Sequence, residues 1–214
     1  MHIMEGFLKP EWCAFWFALA TPVVIYGAWR VKREIEKDPK AKSLLAVSLG
    51  FIFVLSALKL PSVTGSCSHP TGTGVAVILF GPSVTAFLSS IALLYQALLL
   101  AHGGITTLGA NTFSMGIVGP FFGFLAYKAL KKFSLPVAFF SAAAVADLTT
   151  YVITSLQLAL AFPAFPGIEG VWISAIRFLG IFAITQLPIA VVEAFLAVAL
   201  LRNIKAYSPE VSTA

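Results

Sequence analysis

RVKREIEKDPKAK, residues 30–42, is the stretch on which the reading of the fold turns. It holds Arg30, Lys32, Arg33, Lys37, Lys40 and Lys42, six of the chain's 14 Lys and Arg residues. Apolar runs flank it on both sides, at about 11–29 and about 43–60. A short loop this rich in Lys and Arg between two apolar segments belongs in the cytoplasm. The N-terminus is then expected outside, and the second apolar run should return to the outer face, stopping at Pro61.

Composition agrees with a chain that lives in lipid. Of 214 residues, 59% are apolar and 11% charged, against roughly 45–50% and about 25% in ordinary globular domains. Mean hydropathy is +0.94. With so few charges, most helices cannot present a polar face to water. A secreted disulfide scaffold, a disordered chain and a soluble enzyme are excluded. The net charge of +5 is concentrated at the basic loop, so it is an orientation signal and not a nucleic-acid surface.

The remaining spans follow from parity. Lys128, Lys131 and Lys132 place the end of a helix over about 108–130 in the cytoplasm. That helix must start outside, so the uncharged stretch 75–101 must cross twice. Gly81-Pro82 is the natural break. A helix over about 135–161 then runs outward. FPAFPGIEG, 162–170, forms an outer loop, and a last helix over about 171–201 returns to Arg202 and Lys205. The expectation is an all-α integral membrane protein with seven transmembrane helices, N-terminus outside and C-terminus cytoplasmic. The opening MHIMEGFLKPEW lacks the basic start of a signal peptide, so Met1 is read as the mature terminus. With His at position 2, Met1 is expected to be retained.

Cys13 and Cys67 set no disulfide framework, and both are expected as free thiols. The three histidines, His2, His69 and His102, all fall on the outer side of this topology. His2 stands apart, because a terminal Met-His offers three nitrogens in one strand of chain. They are the Met1 amine, the deprotonated His2 amide and the His2 ring Nδ1. They close a five- and a six-membered chelate ring, held nearly coplanar by the peptide. His69, in the polar loop SVTGSCSHPTGTG (62–74), can fill the fourth place. A square plane of nitrogens favours Ni(II) or Cu(II). For His102, a hydrogen-bonded structural ring is the simpler reading.

MHIMEGFL (1–8), SCSHPTGTGVAVILFGP (66–82) and QALLLAHGGITTLGANTFSMGIVGP (96–120) together resemble the CbiM/NikM family. These are membrane substrate-capture subunits of energy-coupling-factor (ECF) transporters for nickel and cobalt. The resemblance implies a single transmembrane substrate-binding domain over 1–214, with an extra N-terminal helix at about 11–29 beside a six-helix bundle. It implies metal held by Met1, His2 and His69. It also implies partners: a transmembrane scaffold subunit, two cytoplasmic ATPases and, in many members, a small accessory membrane protein. The chain has no G-x-x-x-x-G-K-[ST] phosphate loop, so it is not expected to hydrolyse ATP, and it is not expected to be an enzyme. The bound substrate is expected to be Ni(II) first and Co(II) second, with no organic cofactor.

His102 and Asn111 are candidates to hydrogen-bond the metal-binding rings and set their tautomers. Thr106, Thr107 and Gln96 are lesser candidates. Asp147, Arg177 and Glu193 lie inside spans, where charges are expensive and pair with one another or serve ion movement. A structural pairing, such as Asp147 with Arg177, is preferred. Small residues at Ala14/Ala18, Ala46/Gly50 and Ala142/Ala146 let helices approach closely, most simply inside the bundle. The alternative function is a stand-alone divalent-metal channel or secondary carrier. An intramembrane metalloprotease is excluded, since H-E-x-x-H is absent.

Overall fold

A computed structural model describes residues 1–61 and 66–207, apart from the side chains of 61 and 202–207. It is mostly helical. The helices are α1 (Pro10–Lys37), α2 (Ala41–Ala57), α3 (Thr73–Phe80), α4 (Pro82–Leu100), α5 (Leu108–Leu130), α6 (Leu135–Ala161) and α7 (Ile168–Tyr207). Five of them, α1, α4, α5, α6 and α7, are long and apolar enough to cross a membrane. Large apolar side chains such as Val47, Leu99, Ile184 and Phe195 point outward, more than half exposed, as a lipid-facing surface requires.

Two boundaries differ from the sequence reading. Helix α1 does not stop near Trp29 but continues to Lys37 through most of the basic stretch. Glu and Lys/Arg at helical spacing sustain it, with Arg30–Glu34 at 3.5 Å, Lys32–Glu36 at 3.7 Å and Lys37–Glu34 at 3.8 Å. The turn is only Asp38–Lys40, where the Asp38 carboxylate accepts the Lys40 N–H at 2.9 Å. The second difference concerns 75–101. The break at Gly81-Pro82 is present, but α3 has eight residues. At 1.5 Å per residue it is about 12 Å long, too short for a hydrocarbon core of about 30 Å. Gly81 ends α3 at φ 79°, ψ 172°, a conformation essentially reserved for glycine, and Pro82 opens α4 at its first turn.

The polar segment before α3 is not a solvated outer loop. Among its described residues, Ser66, Cys67, Ser68, His69, Thr71 and Thr73 are all buried; 62–65 lie outside the described residues, as do the side chains of Arg202 and Lys205. Ser66–Ser68 is a strand, β3, paired antiparallel with β1 (His2–Ile3) and with β2 (Leu60–Pro61). The order is β1-β3-β2, so the otherwise helical chain carries a small sheet in its interior. Irregular backbone inside a membrane protein is tolerated where protein encloses it, and this segment meets that condition. Gly72 sits at φ +70°, and a Cβ there would lie 2.9 Å from the Ile52 Cα of α2. Only glycine permits that turn and that approach.

Helix α6 is central, packed along α5 and α7 and against α3. Ala142 and Ala146 are fully buried against Gly119 and Gly123 of α5, as internal packing predicts. Ala14, Ala18, Ala46 and Gly50 are instead exposed, so those stripes are not used within the bundle. Helix α5 is π-helical over Thr112–Val118, where the Gly119 N–H reaches back five residues to Ser114 O. Pro120 follows directly. Its ring would clash with the carbonyl four residues back, and widening the turn relieves that clash next to Asn111.

Candidate metal centre

The β1–β3 pairing builds the centre. It sets His2 opposite Cys67, two residues before His69, and it draws the N-terminus into the protein. Met1, His2 and His69 have no exposed surface, and His102, from the loop between α4 and α5, is 3% exposed. The His2 and His69 rings stack with centroids 4.2 Å apart. His102 meets His2 edge-on at 4.3 Å.

The polar atoms of these rings are short of partners. His69 Nδ1 donates to Pro70 O at 2.8 Å, which fixes the tautomer and leaves Nε2 with a bare lone pair. His2 Nδ1 and His102 Nε2 are 3.1 Å apart, and Cys67 Sγ lies 2.9 Å from the same His102 Nε2. His2 Nε2, His69 Nε2 and His102 Nδ1 are buried without any hydrogen-bond partner. Buried polar atoms are normally paired. His2 Nδ1, His102 Nε2 and Cys67 Sγ face one another, a convergence of nitrogen and sulfur donors that a transition-metal cation can use. One donor atom from each of His2, Cys67, His69 and His102 lies within 4.8 Å of the others.

Burial sets the protonation states. It holds His2 well below the ordinary imidazole range, with the neighbouring rings and the terminal amine pushing the same way. His102 is lowered to about 4, again mainly by burial. The Met1 amine is lowered by burial, against the opposing pull of Cys67, Asp147 and Glu193. At neutral pH the His2 and His102 imidazoles are therefore uncharged and able to ligate.

The surrounding residues fix the two strands. Asn111 Oδ1 accepts the Ile3 N–H at 2.7 Å, and its Nδ2 donates to Ile3 O at 3.0 Å. Thr107 Oγ1 donates to the same carbonyl at 2.8 Å. Asn111 thus acts on the backbone beside His2 and not on a histidine ring, whereas His102 does meet the His2 ring. Thr106 donates to both oxygens of Glu5, at 3.1 and 2.5 Å. The Gln96 side chain bonds Phe53 O and Ser56 of α2, while its backbone carbonyl accepts the His102 N–H at 3.1 Å.

Gln186 of α7 donates to His69 O at 3.0 Å and to Asp147 Oδ1 at 2.6 Å. Glu193 accepts the Thr71 and Gly72 N–H groups at 2.5 and 2.8 Å and the Thr71 hydroxyl at 2.9 Å. Both buried acids thus sit in the framework that holds the His69 segment. The expected Asp147–Arg177 pair does not form: Asp147 has Gln186, and Arg177 is exposed. Cys67 was not among the sequence candidates. Its position two residues before His69 was the available signal, but only the pairing with His2 gives that spacing meaning. Neither cysteine is bridged.

Residues 2–211 match the family described as "Cobalt uptake substrate-specific transmembrane region", CbiM. The chain belongs to the CbiM family. A CbiM relative from Archaeoglobus fulgidus is 66% identical over 204 residues, covering 95% of this chain and 94% of that one. The cobalt transport protein CbiM of Streptococcus sanguinis is 56% identical, covering 94% of this chain and 82% of its own. A solved transition metal transporter aligns with a TM-score of 0.84 at 25% identity, over 98% of this chain and 95% of that one. A truncated one gives 0.83 at 27%, over 97% and 99%. This CbiM-family chain is thus a multi-pass membrane protein of a metal-uptake family.

Proposed function

We propose that the chain is the substrate-capture subunit of an ECF-type importer for a divalent transition metal, cobalt or nickel. It binds the ion through the Met1 amine, the His2 amide and ring, and His69. The observation that carries this is the burial of Met1, His2 and His69 together, with His69 Nε2 bare beside the His2 ring. A buried free terminus is costly unless it has a use, because an amine removed from water needs a partner. The planar amine–amide–imidazole set suits low-spin Ni(II) best and Co(II) next. The relatives' names point to cobalt.

The chain in this reading crosses the membrane seven times, with α3 and the buried segment before it together making one passage. The N-terminus is outside and the C-terminus cytoplasmic. Cations stacked on aromatic rings, Arg33 on Trp29 and Lys128 on Phe124, support a common cytoplasmic interface for α1 and α5. A transmembrane scaffold subunit and two ATPases supply the energy, and a small accessory protein completes the assembly.

The test is titration of the purified chain with nickel and with cobalt. The authentic terminus is compared with a version carrying one residue before Met1, with thermal melting as a control for folding. The authentic chain should give a diamagnetic, yellow-to-orange nickel complex, and the extended one should not. Equal affinities and spectra would remove the amine from the site.

A further inference from the structure

Two of the four residues that converge at the centre have no role in the terminal chelate. Cys67 and His102 touch each other at 2.9 Å, and His102 also reaches His2 Nδ1 at 3.1 Å. Both side chains are buried. Cys13, the other thiol, is spoken for elsewhere, against Leu8 O at 3.6 Å.

We propose that His2, Cys67, His69 and His102 form a second, tetrahedral site for a d10 cation of the zinc class. This donor set overlaps the capture site proposed above, but the fold supplies it whether or not that reading holds. Zinc has no d-electron preference for a plane and takes four ligands, thiolate and imidazole among them. Bonds of about 2.0–2.1 Å to nitrogen and about 2.3 Å to sulfur make tetrahedron edges of roughly 3.3–3.7 Å. The present donor separations straddle that range, from 2.9 Å for Cys67–His102 to an upper limit of 4.8 Å. Side-chain movements of about an ångström close it.

The balance is simple. Zn(II) replaces the thiol proton of Cys67, forms one Zn–S and three Zn–N bonds, and releases one proton to solvent. The Met1 amine and the His2 amide stay out of it. Because His2 and His69 belong to both sets, the two modes exclude each other. A d8 ion gains from the plane and takes the terminus, whereas a d10 ion gains nothing from it and takes the sulfur. Zinc is thereby held in a different geometry from the cargo and competes with it.

The experiment uses the full chain in detergent with zinc sulfate alone. X-ray absorption at the zinc edge should show one sulfur neighbour at about 2.3 Å beside nitrogens. Cadmium should give a thiolate charge-transfer band in the unmodified protein. Cys67→Ser should remove the sulfur signal and weaken zinc by about 10–100-fold or more. His102→Gln should weaken zinc in the same way. Zinc bound without sulfur in the unmodified chain, no zinc binding at all, or an unchanged zinc affinity in Cys67→Ser overturns the proposal. A nickel complex that is not planar counts against the capture reading only, and the sulfur measurement decides this one independently.

Discussion

Asn111 holds the backbone of Ile3 from both sides, accepting its N–H at 2.7 Å and donating to its carbonyl at 3.0 Å. Among the described residues no other side chain bonds both backbone groups of one residue at the terminal strand. The peptide immediately after the proposed chelate is therefore fixed by a residue that cannot itself be a strong metal ligand. Asn111→Ala should weaken nickel and cobalt binding by about 10–100-fold, the usual effect of removing a group that orients ligands. Asn111→Asp keeps the acceptor and loses the donor, so it should fall between the two. Isothermal titration checks the order.

The membrane charges should rank by their contacts. In Glu193→Gln an amide NH2 replaces an oxygen that accepts from Thr71 or Gly72, orphaning a buried donor. The cost should be about 1–3 kcal/mol, seen as a lower Tm. Arg177→Gln should change stability by less than about 0.5 kcal/mol, since Arg177 is exposed. A larger loss at Arg177 than at Glu193 would contradict the hydrogen bonding described for the His69 segment.

Stability of the metal-free chain should fall with acid. In the unfolded chain each histidine takes up a proton near pH 6.5. Folded, His102 waits until about 4 and His2 until well below 6.5. Between these limits the unfolded state binds more protons, so stability rises with pH there. It is fully present above about 6.5 and lost progressively toward about 4. A Tm measured against pH checks this, and a flat profile from 7 to 4 would count against buried neutral rings.

Metal affinity should depend on pH through the amine and the amide, since the imidazoles are already neutral. Burial lowers the amine, so its contribution should end below the ordinary range of about 7.7–8.0. Proton release per nickel should be near one at pH 8 and rise as pH falls through the amine's value. Calorimetry in buffers of different ionisation enthalpy measures it.

Sidedness is best read away from the centre. Cys67 is 5% exposed, so an impermeant thiol reagent should not reach it readily. Glu169, exposed at the start of α7, is the better probe. Glu169→Cys should label in intact cells and Lys131→Cys should not. The reverse pattern would invert the topology.

Much of this was legible before any coordinates. The long apolar runs on either side of the Lys128–Lys132 cluster read as α5 and α6 almost to the residue, and Gly81-Pro82 marks the break between α3 and α4. His2, His69 and His102 do converge, whereas the sequence alone favours a structural ring for His102. The extension of α1 could also have been read, because Arg30–Glu34 and Lys32–Glu36 stand at helical spacing. The sheet could not. Strands of two and three residues have no periodicity to detect, and the pairing of His2 with Cys67 depends on contacts far apart in sequence. For the same reason nothing in the sequence singles out Cys67, and setting Asp147 against Arg177, a base expected inside a span, misses its real partner, the Gln186 amide.

The small sheet also has a consequence in time. Ile3 is among the first residues made, yet its Asn111 clamp lies 108 residues later, and the Gln186 that holds His69 comes 117 residues after it. At about 5–20 residues per second, the amino terminus waits roughly 5–20 s for Asn111 alone. Throughout that interval its nitrogens are open to any metal or acylating enzyme nearby. Assembly of the centre is thus a late event in biogenesis, and chains captured at the terminus before α5 emerges would be lost to it.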